Sequence, residues 1–175
     1  MTNIYLVGPM GSGKSAVGRQ LARQLGLEFY DSDQEIEDRT GVDIAYIFEK
    51  EGEEGFRHRE RLVIADLTEL NNIVLATGGG SILDKHSRQR LAANGTVIYL
   101  RASVDQQLAR TRRGKERPLL NKGDRRNVLS ELMAVRENLY QEVADLVVDT
   151  DGRRVRTVTE EISRLLDDRG PLQKL

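Results

Sequence analysis

The 175-residue chain contains no cysteine. Neither a disulfide framework nor a thiolate metal site can exist in it, and nothing in it is built around an oxidising compartment. No apolar run approaches the length needed to span a bilayer. The opening stretch MTNIYLVGPMG has a short apolar run with no basic region ahead of it, so neither membrane insertion nor secretion is supported and a cytoplasmic location is expected. A surplus of positive charge is missing too: 27 Lys and Arg stand against 28 Asp and Glu, a formal net charge of −1. That balance excludes a broadly basic nucleic-acid-binding surface and confines cationic work to local clusters. Internal repeats are absent. What is present is one domain's worth of chain, with 38% hydrophobic residues to build a core.

Five short β-rich runs, NIYLV, LEFYD, IVLAT, TVIYL and LVVD, are each followed by a segment of helical character. Alternation of this kind predicts an α/β fold, a five-stranded parallel sheet flanked by helices on both faces. In the first helical segment Val17, Leu21 and Leu25 recur at i, i+4 and i+8, and Gly26 supplies a stop. Ser32 with Glu35, and Ser103 with Gln106, have capping-box spacing. An Arg-rich stretch runs from Arg110 to Arg126, and Gly170 and Pro171 close the last helix.

The segment GPMGSGKS, Gly8 to Ser15, fits the phosphate-loop pattern and lies where that loop must lie, after an apolar strand and opening an amphipathic helix. Gly8, Gly11 and Gly13 let backbone N–H groups converge on phosphate oxygens, Lys14 reaches the outer phosphates, and Ser15 offers an oxygen to Mg²⁺. Such a loop could serve a GTPase, an ATPase or a small-molecule kinase. NKGD, Asn121 to Asp124, matches a guanine-reading pattern, but it sits in an arginine-rich loop and not after a buried strand. It reads as coincidence within a basic lid that would shield a phosphoryl transfer from water.

Three further clusters bear on the acceptor. Asp31 and Asp33 stand two apart at the end of the second strand; in an extended segment that spacing aims both carboxylates the same way, one toward Mg²⁺ and one toward an acceptor hydroxyl. The competing reading is that one of them caps the next helix. Arg57 and Glu60 are three apart on a helix, which is ordinarily a surface salt bridge, although Phe56 and Phe48 beside them suit the wall of a small pocket. LATGGGS places Gly78, Gly79 and Gly80 directly after a strand, where a turn alone needs no third glycine. His58 and His86 have no partner pattern and read as surface residues.

With GPMGSGKS, FYDSDQEI, EGEEGFRHRE, LATGGGS, RPLL and RENLY in this order, the chain resembles the shikimate kinases from Ile4 to about Leu166. The resemblance implies a nucleoside-monophosphate-kinase-like fold with a lid. It would have a core at residues 1–30, 73–109 and 143–168, a substrate-binding helical region at 31–62, a lid at about 111–125 and a tail at 169–175. The implied reaction carries the γ-phosphoryl of ATP to the 3-hydroxyl of shikimate, with Mg²⁺, on the route to aromatic amino acids. Asp33 then matches the base that holds the acceptor hydroxyls, and Asp31 the residue that holds Mg²⁺ through water. Arg57 and Arg136 match the arginines that grip the shikimate carboxylate, and Gly78, Gly79 and Gly80 the loop pressed against acceptor and phosphate. Gly11, Ser12, Gly13, Lys14, Ser15 and Ala16 form the nucleotide loop. Arg117 matches a lid arginine on the ATP phosphates, while Arg110, Pro118 and Arg153 resemble residues that flank the adenine. Ala16 stands where the family commonly has threonine, which implies a somewhat weaker hold on ATP. A related gluconate-type kinase and a nucleotide-sensing module are the alternatives; a monomer is expected, with no nucleic-acid or membrane partner.

Overall fold

A computed structural model describes residues 2–112 and 124–170. Five strands, β1 (Ile4–Val7), β2 (Glu28–Asp31), β3 (Ile73–Ala76), β4 (Thr96–Arg101) and β5 (Leu146–Asp149), form one parallel sheet in the order β2-β3-β1-β4-β5. Between and after them run α1 (Lys14–Leu25), α2 (Ser32–Thr40), α3 (Ile44–Leu67), α4 (Lys85–Asn94), α5 (Val104–Thr111), α6 (Arg125–Val143) and α7 (Val155–Asp168). The α/β expectation of a five-stranded parallel sheet is borne out, and each of the five β-rich runs supplies one strand.

Because side chains alternate along a strand, β1 sends Tyr5 and Val7 to one face and Ile4 and Leu6 to the other. Tyr5 and Val7 join Leu75, Tyr99, Ile64 and Tyr140 in the core beneath α3, α4 and α6. Ile4 and Leu6 join Val74, Ile98, Leu21 and Ile162 in the core beneath α1 and α7. Burial on both faces explains why the central strands read as continuous apolar runs.

Helix boundaries follow their chemistry with two departures. Gly26 ends α1 in left-handed backbone, and Ser103 caps α5 by accepting the Gln106 N–H at 3.1 Å. Leu25, the third member of the α1 stripe, is exposed and lies outside the core. For α2 the cap is Asp31, not Ser32: the Asp31 carboxylate accepts the N–H groups of Asp33 at 3.0 Å and Gln34 at 3.2 Å. Ser32, already inside the helix, uses its hydroxyl to accept the Gly78 N–H at 2.9 Å. Helix α3 is interrupted at Gly52, whose φ of 70° suits a residue without Cβ.

Below the sheet, at the amino ends of the strands, Asn3 donates to the Leu70 carbonyl at 2.8 Å and accepts the Ile73 N–H at 3.2 Å, tying β1 to the entry of β3. The opposite, carboxyl-terminal edge is then left for the loops after β1, β2 and β3, the usual place for a ligand in such sheets. Asn3→Ala strands a buried N–H and should lower stability by about 2 kcal/mol. Urea unfolding checks this; a change under about 0.5 kcal/mol would mean that water replaces those bonds without loss.

Candidate active site

At the end of β1 the backbone turns back on itself before α1. Gly8 lies against the Leu100 carbonyl, and Gly13 caps α1 with φ of 88°, a left-handed geometry that favours glycine. The loop N–H groups and the start of a twelve-residue helix therefore face the same space. Lys14 folds over the loop and donates to the carbonyls of Gly8 at 2.7 Å and Pro9 at 2.9 Å. Ser12 is buried in the turn, while Ala16 is exposed on α1.

Ser15 donates its hydroxyl hydrogen to Asp31. Two hard oxygens from different elements thus meet beside the phosphate loop. Among the described residues no group of three or more His, Asp or Glu side chains is arranged to hold a metal. A pair such as Ser15 and Asp31 fits an ion that keeps most of its waters and takes its remaining ligands from phosphates, which is the habit of Mg²⁺.

One cavity of about 610 Å³ reaches from Ser15 and Asp31 past Asp33 to the three glycines, Arg57 and Arg136. Asp33 does not reach it from an extended segment. Helix α2 begins at Ser32, so Asp31 enters from the strand end and Asp33 from the first helical turn. Phe48 and Phe56 line the cavity with ring centroids 4.8 Å apart, and the Arg57 guanidinium lies 5.2 Å from the Phe56 centroid.

The Arg57–Glu60 pair is not on the surface. Arg57 Nη1 meets Glu60 Oε1 at 2.8 Å, and Glu60 is only 3% exposed. Burial raises the Glu60 pKa above the usual carboxylate range although Arg57 and Arg136 pull the other way. Its second oxygen and Arg57 Nε are buried without a hydrogen-bond partner among the described residues. Sequence spacing alone misreads this pair, yet a signal exists: Phe56, Glu60, Val63, Ile64 and Leu67 share one helical stripe, and all are buried. Arg136 behaves similarly, since Leu129, Arg136, Tyr140 and Val143 are the buried positions of α6. Burial lowers the Arg136 pKa, and the nearby Arg57 charge adds to the effect. Among the described residues no carboxylate lies within 4.0 Å of Arg136.

The triple glycine has a cause within the protein itself, beside the contact expected with a ligand. None of the three has positive φ. A Cβ on Gly78 would sit 2.6 Å from Glu60 Oε2 and 2.8 Å from Asp33 Oδ1, and one on Gly80 would sit 2.6 Å from Arg57 Cζ. On Gly79 the nearest atoms would be the Met10 N at 3.4 Å and Arg136 Nη1 at 3.6 Å. The outer two glycines thus make room for the protein's own charged side chains.

The nucleotide-edge residues are placed less openly. Arg110 donates to the Gly11 carbonyl at 2.8 Å and the Thr150 carbonyl at 2.9 Å, bracing the phosphate loop against the segment after β5. Arg153 donates to the Asp149 carbonyl at 2.8 Å and pairs with Glu161. Arg117, Pro118 and nearly all of the expected lid lie outside the described residues. Of the NKGD segment only Asp124 is described, and it caps α6. His58 and His86 are exposed. Among the described residues no helix is long and apolar enough to cross a membrane.

Comparison with known proteins follows the same geometry. A family model described as shikimate kinase matches residues 10–167. The chain is 58% identical over 160 residues to the shikimate kinase of Shewanella loihica, covering 91% of this chain and 94% of that one. Among solved structures it is similar to shikimate kinase from Acinetobacter baumannii in complex with shikimate, with a TM-score of 0.95 and 47% identity over 99% of this chain and 96% of that one. It is also similar to shikimate kinase from Aquifex aeolicus, with a TM-score of 0.84 and 36% identity over 96% of this chain and 98% of that one.

The raised pKa of Glu60 fixes the sign of a pH effect. A carboxyl that holds its proton more tightly when folded stabilises the fold below its unfolded pKa, and that contribution is lost as pH rises through the folded value. Glutamine does not titrate. The stability of Glu60→Gln relative to the native chain should therefore improve between about pH 4 and pH 7. Denaturant unfolding across that range is the check, and a gap that stays constant or moves against glutamine would show that Arg57 fully compensates the buried charge.

Proposed function

Because the chain belongs to the shikimate kinase family, an ATP-dependent phosphotransferase family, we propose that Arg57 and Arg136 grip the shikimate carboxylate while Asp33 orients the 3-hydroxyl and serves as its base. The observation that carries this reading is the pair of guanidiniums in one cavity, where Arg57 already has Glu60 and Arg136 has no carboxylate within ion-pair distance among the described residues. A buried cation without a counter-ion is costly, and an incoming carboxylate would relieve it with the forked geometry that guanidinium favours.

At the other end of the cavity Lys14, now on loop carbonyls, would exchange them for ATP phosphate oxygens. The loop N–H groups would take the remaining charge. Ser15 and Asp31 would hold Mg²⁺, which when bound would supply positive charge to neutralise the phosphates. Transfer then needs little covalent work from the protein: hydroxyl and γ-phosphoryl are held in line, and Asp33 receives the hydroxyl proton as the new P–O bond forms and the bond from the γ-phosphorus to the β,γ-bridging oxygen breaks, releasing ADP.

The test is ADP release with ATP and Mg²⁺ in the presence and absence of shikimate. Dependence on shikimate is expected, and release indifferent to it would sink the acceptor assignment. Asp33→Asn should cut turnover by about a hundredfold or more and leave the KM for ATP within about threefold; near-full turnover in that variant would remove Asp33 from the base role. The three glycines supply a graded check. Gly78→Ala and Gly80→Ala should each raise the KM for shikimate by about tenfold, because a methyl displaces Asp33, Glu60 or Arg57, whereas Gly79→Ala should change it by less than about threefold. An equal response at all three positions would mean that the ligand, not the flanking side chains, demands the glycines.

A further inference from the structure

Making room for side chains has a consequence for the loop itself. Three successive glycines have the greatest backbone freedom of any tripeptide, so an ordered loop there needs tethers. Two of the glycines have plain ones. The Gly78 N–H is held by Ser32, the Gly78 carbonyl by the Ser81 N–H at 3.0 Å and hydroxyl at 2.7 Å, and the Gly80 carbonyl by the Leu83 N–H at 3.1 Å. The Gly79 carbonyl is held from outside the loop, by the hydroxyl of Tyr140 on α6.

Tyr140 is buried, and its ring stacks on Tyr99 of β4 with centroids 5.0 Å apart and planes 23° apart. Arg136 lies one helical turn before it, so the two side chains share a face of α6, and both reach Gly79: Arg136 Nη1 lies 3.6 Å from where a Cβ on that glycine would sit. A phenol has one proton to give. With that proton on the Gly79 carbonyl, the oxygen lone pairs are left for a group that only donates, which a guanidinium is. Burial pushes the Tyr140 pKa up to about 12, so the donor persists at neutral pH. In a planar peptide the carbonyl direction also fixes the following N–H, here that of Gly80, beside Arg57.

We propose that Tyr140 is a positioning residue for the acceptor pocket: one hydroxyl sets the Gly79–Gly80 peptide plane and the Arg136 guanidinium relative to each other. It touches neither reacting atom and no phosphate. The proposal rests on the reading of Arg136 as a ligand of the shikimate carboxylate, so its test must separate the two.

Tyr140→Phe keeps the ring and its stacking partner and removes only the hydroxyl. It is compared with Arg136→Lys and with the double variant in steady-state kinetics, with thermal midpoints measured alongside. Tyr140→Phe should raise the KM for shikimate by about tenfold while the KM for ATP stays within about twofold, and the double variant should be little worse than Arg136→Lys alone, because both act through one guanidinium. Tyr99→Phe, which loosens the same core without touching the loop, should leave the KM for shikimate within about twofold. An unchanged KM for shikimate in Tyr140→Phe beside a raised one in Arg136→Lys would overturn the positioning role and leave the pocket assignment intact. Equal rises for ATP and shikimate, an equal effect of Tyr99→Phe, or effects that multiply in the double variant would also overturn it. No effect of Arg136→Lys would overturn the pocket assignment and the proposal with it.

Discussion

Charged side chains from three helices converge on one backbone segment, Gly78–Gly80, and the closeness of that approach governs the acceptor half of the molecule. Asp33 comes from α2, Glu60 and Arg57 from α3, and Arg136 from α6. Glu60 and Arg136 are almost wholly buried, so their charges are removed from water and must be answered by one another or by a ligand. The glycines permit this because their missing Cβ atoms are the space that the carboxylates and the Arg57 guanidinium occupy. Any larger residue at Gly78 or Gly80 would push apart the groups that balance each other.

The balance is incomplete. Arg57 has Glu60 and a longer contact to Glu53, whereas burial works against the Arg136 charge and the Arg57 charge opposes it further. Glu60 is displaced in the opposite sense, toward its neutral form. A site arranged in this way stores unfavourable electrostatics that a ligand carboxylate would discharge. On the proposed reading that would make the pocket selective by charge before shape is considered, since a neutral ring of the same size would leave Arg136 as it is.

Much of the architecture was legible from residue patterns because the signals were local. The five strands were apolar runs bounded by breakers, and the phosphate loop combined a spacing with a strand–helix context. Arg57 and Asp33 were legible as candidates, but their surroundings were not. Glu60 at three residues from Arg57 looks like a surface pair until the stripe shared with Phe56, Val63, Ile64 and Leu67 is considered, and then burial follows. Asp33 was assigned an extended backbone although α2 begins one residue earlier, because Asp31 rather than Ser32 provides the cap. The contact from Tyr140 to Gly79 joins residues 61 apart in the chain, and no local spacing announces it. Long-range contacts of this kind are set by packing β4 against α6, which the sequence encodes only through the whole fold.

Asp31 shows how the two halves of the cavity are joined. One of its oxygens receives the Ser15 hydroxyl at the phosphate loop, and the other accepts the N–H groups of Asp33 and Gln34 at the start of α2. A capping carboxylate that also faces a nucleotide site cannot move toward a cation without pulling on the first turn of its helix. That turn carries Asp33, and it carries Ser32, which holds the Gly78 N–H. The path from donor to acceptor is therefore two residues long and made of hydrogen bonds. Charge arriving at Ser15 and Asp31 would be felt at the acceptor hydroxyl through α2 with no need for movement of the sheet. The same economy makes the first turn of α2 intolerant of change, because Asp31, Ser32 and Asp33 each answer to a different element.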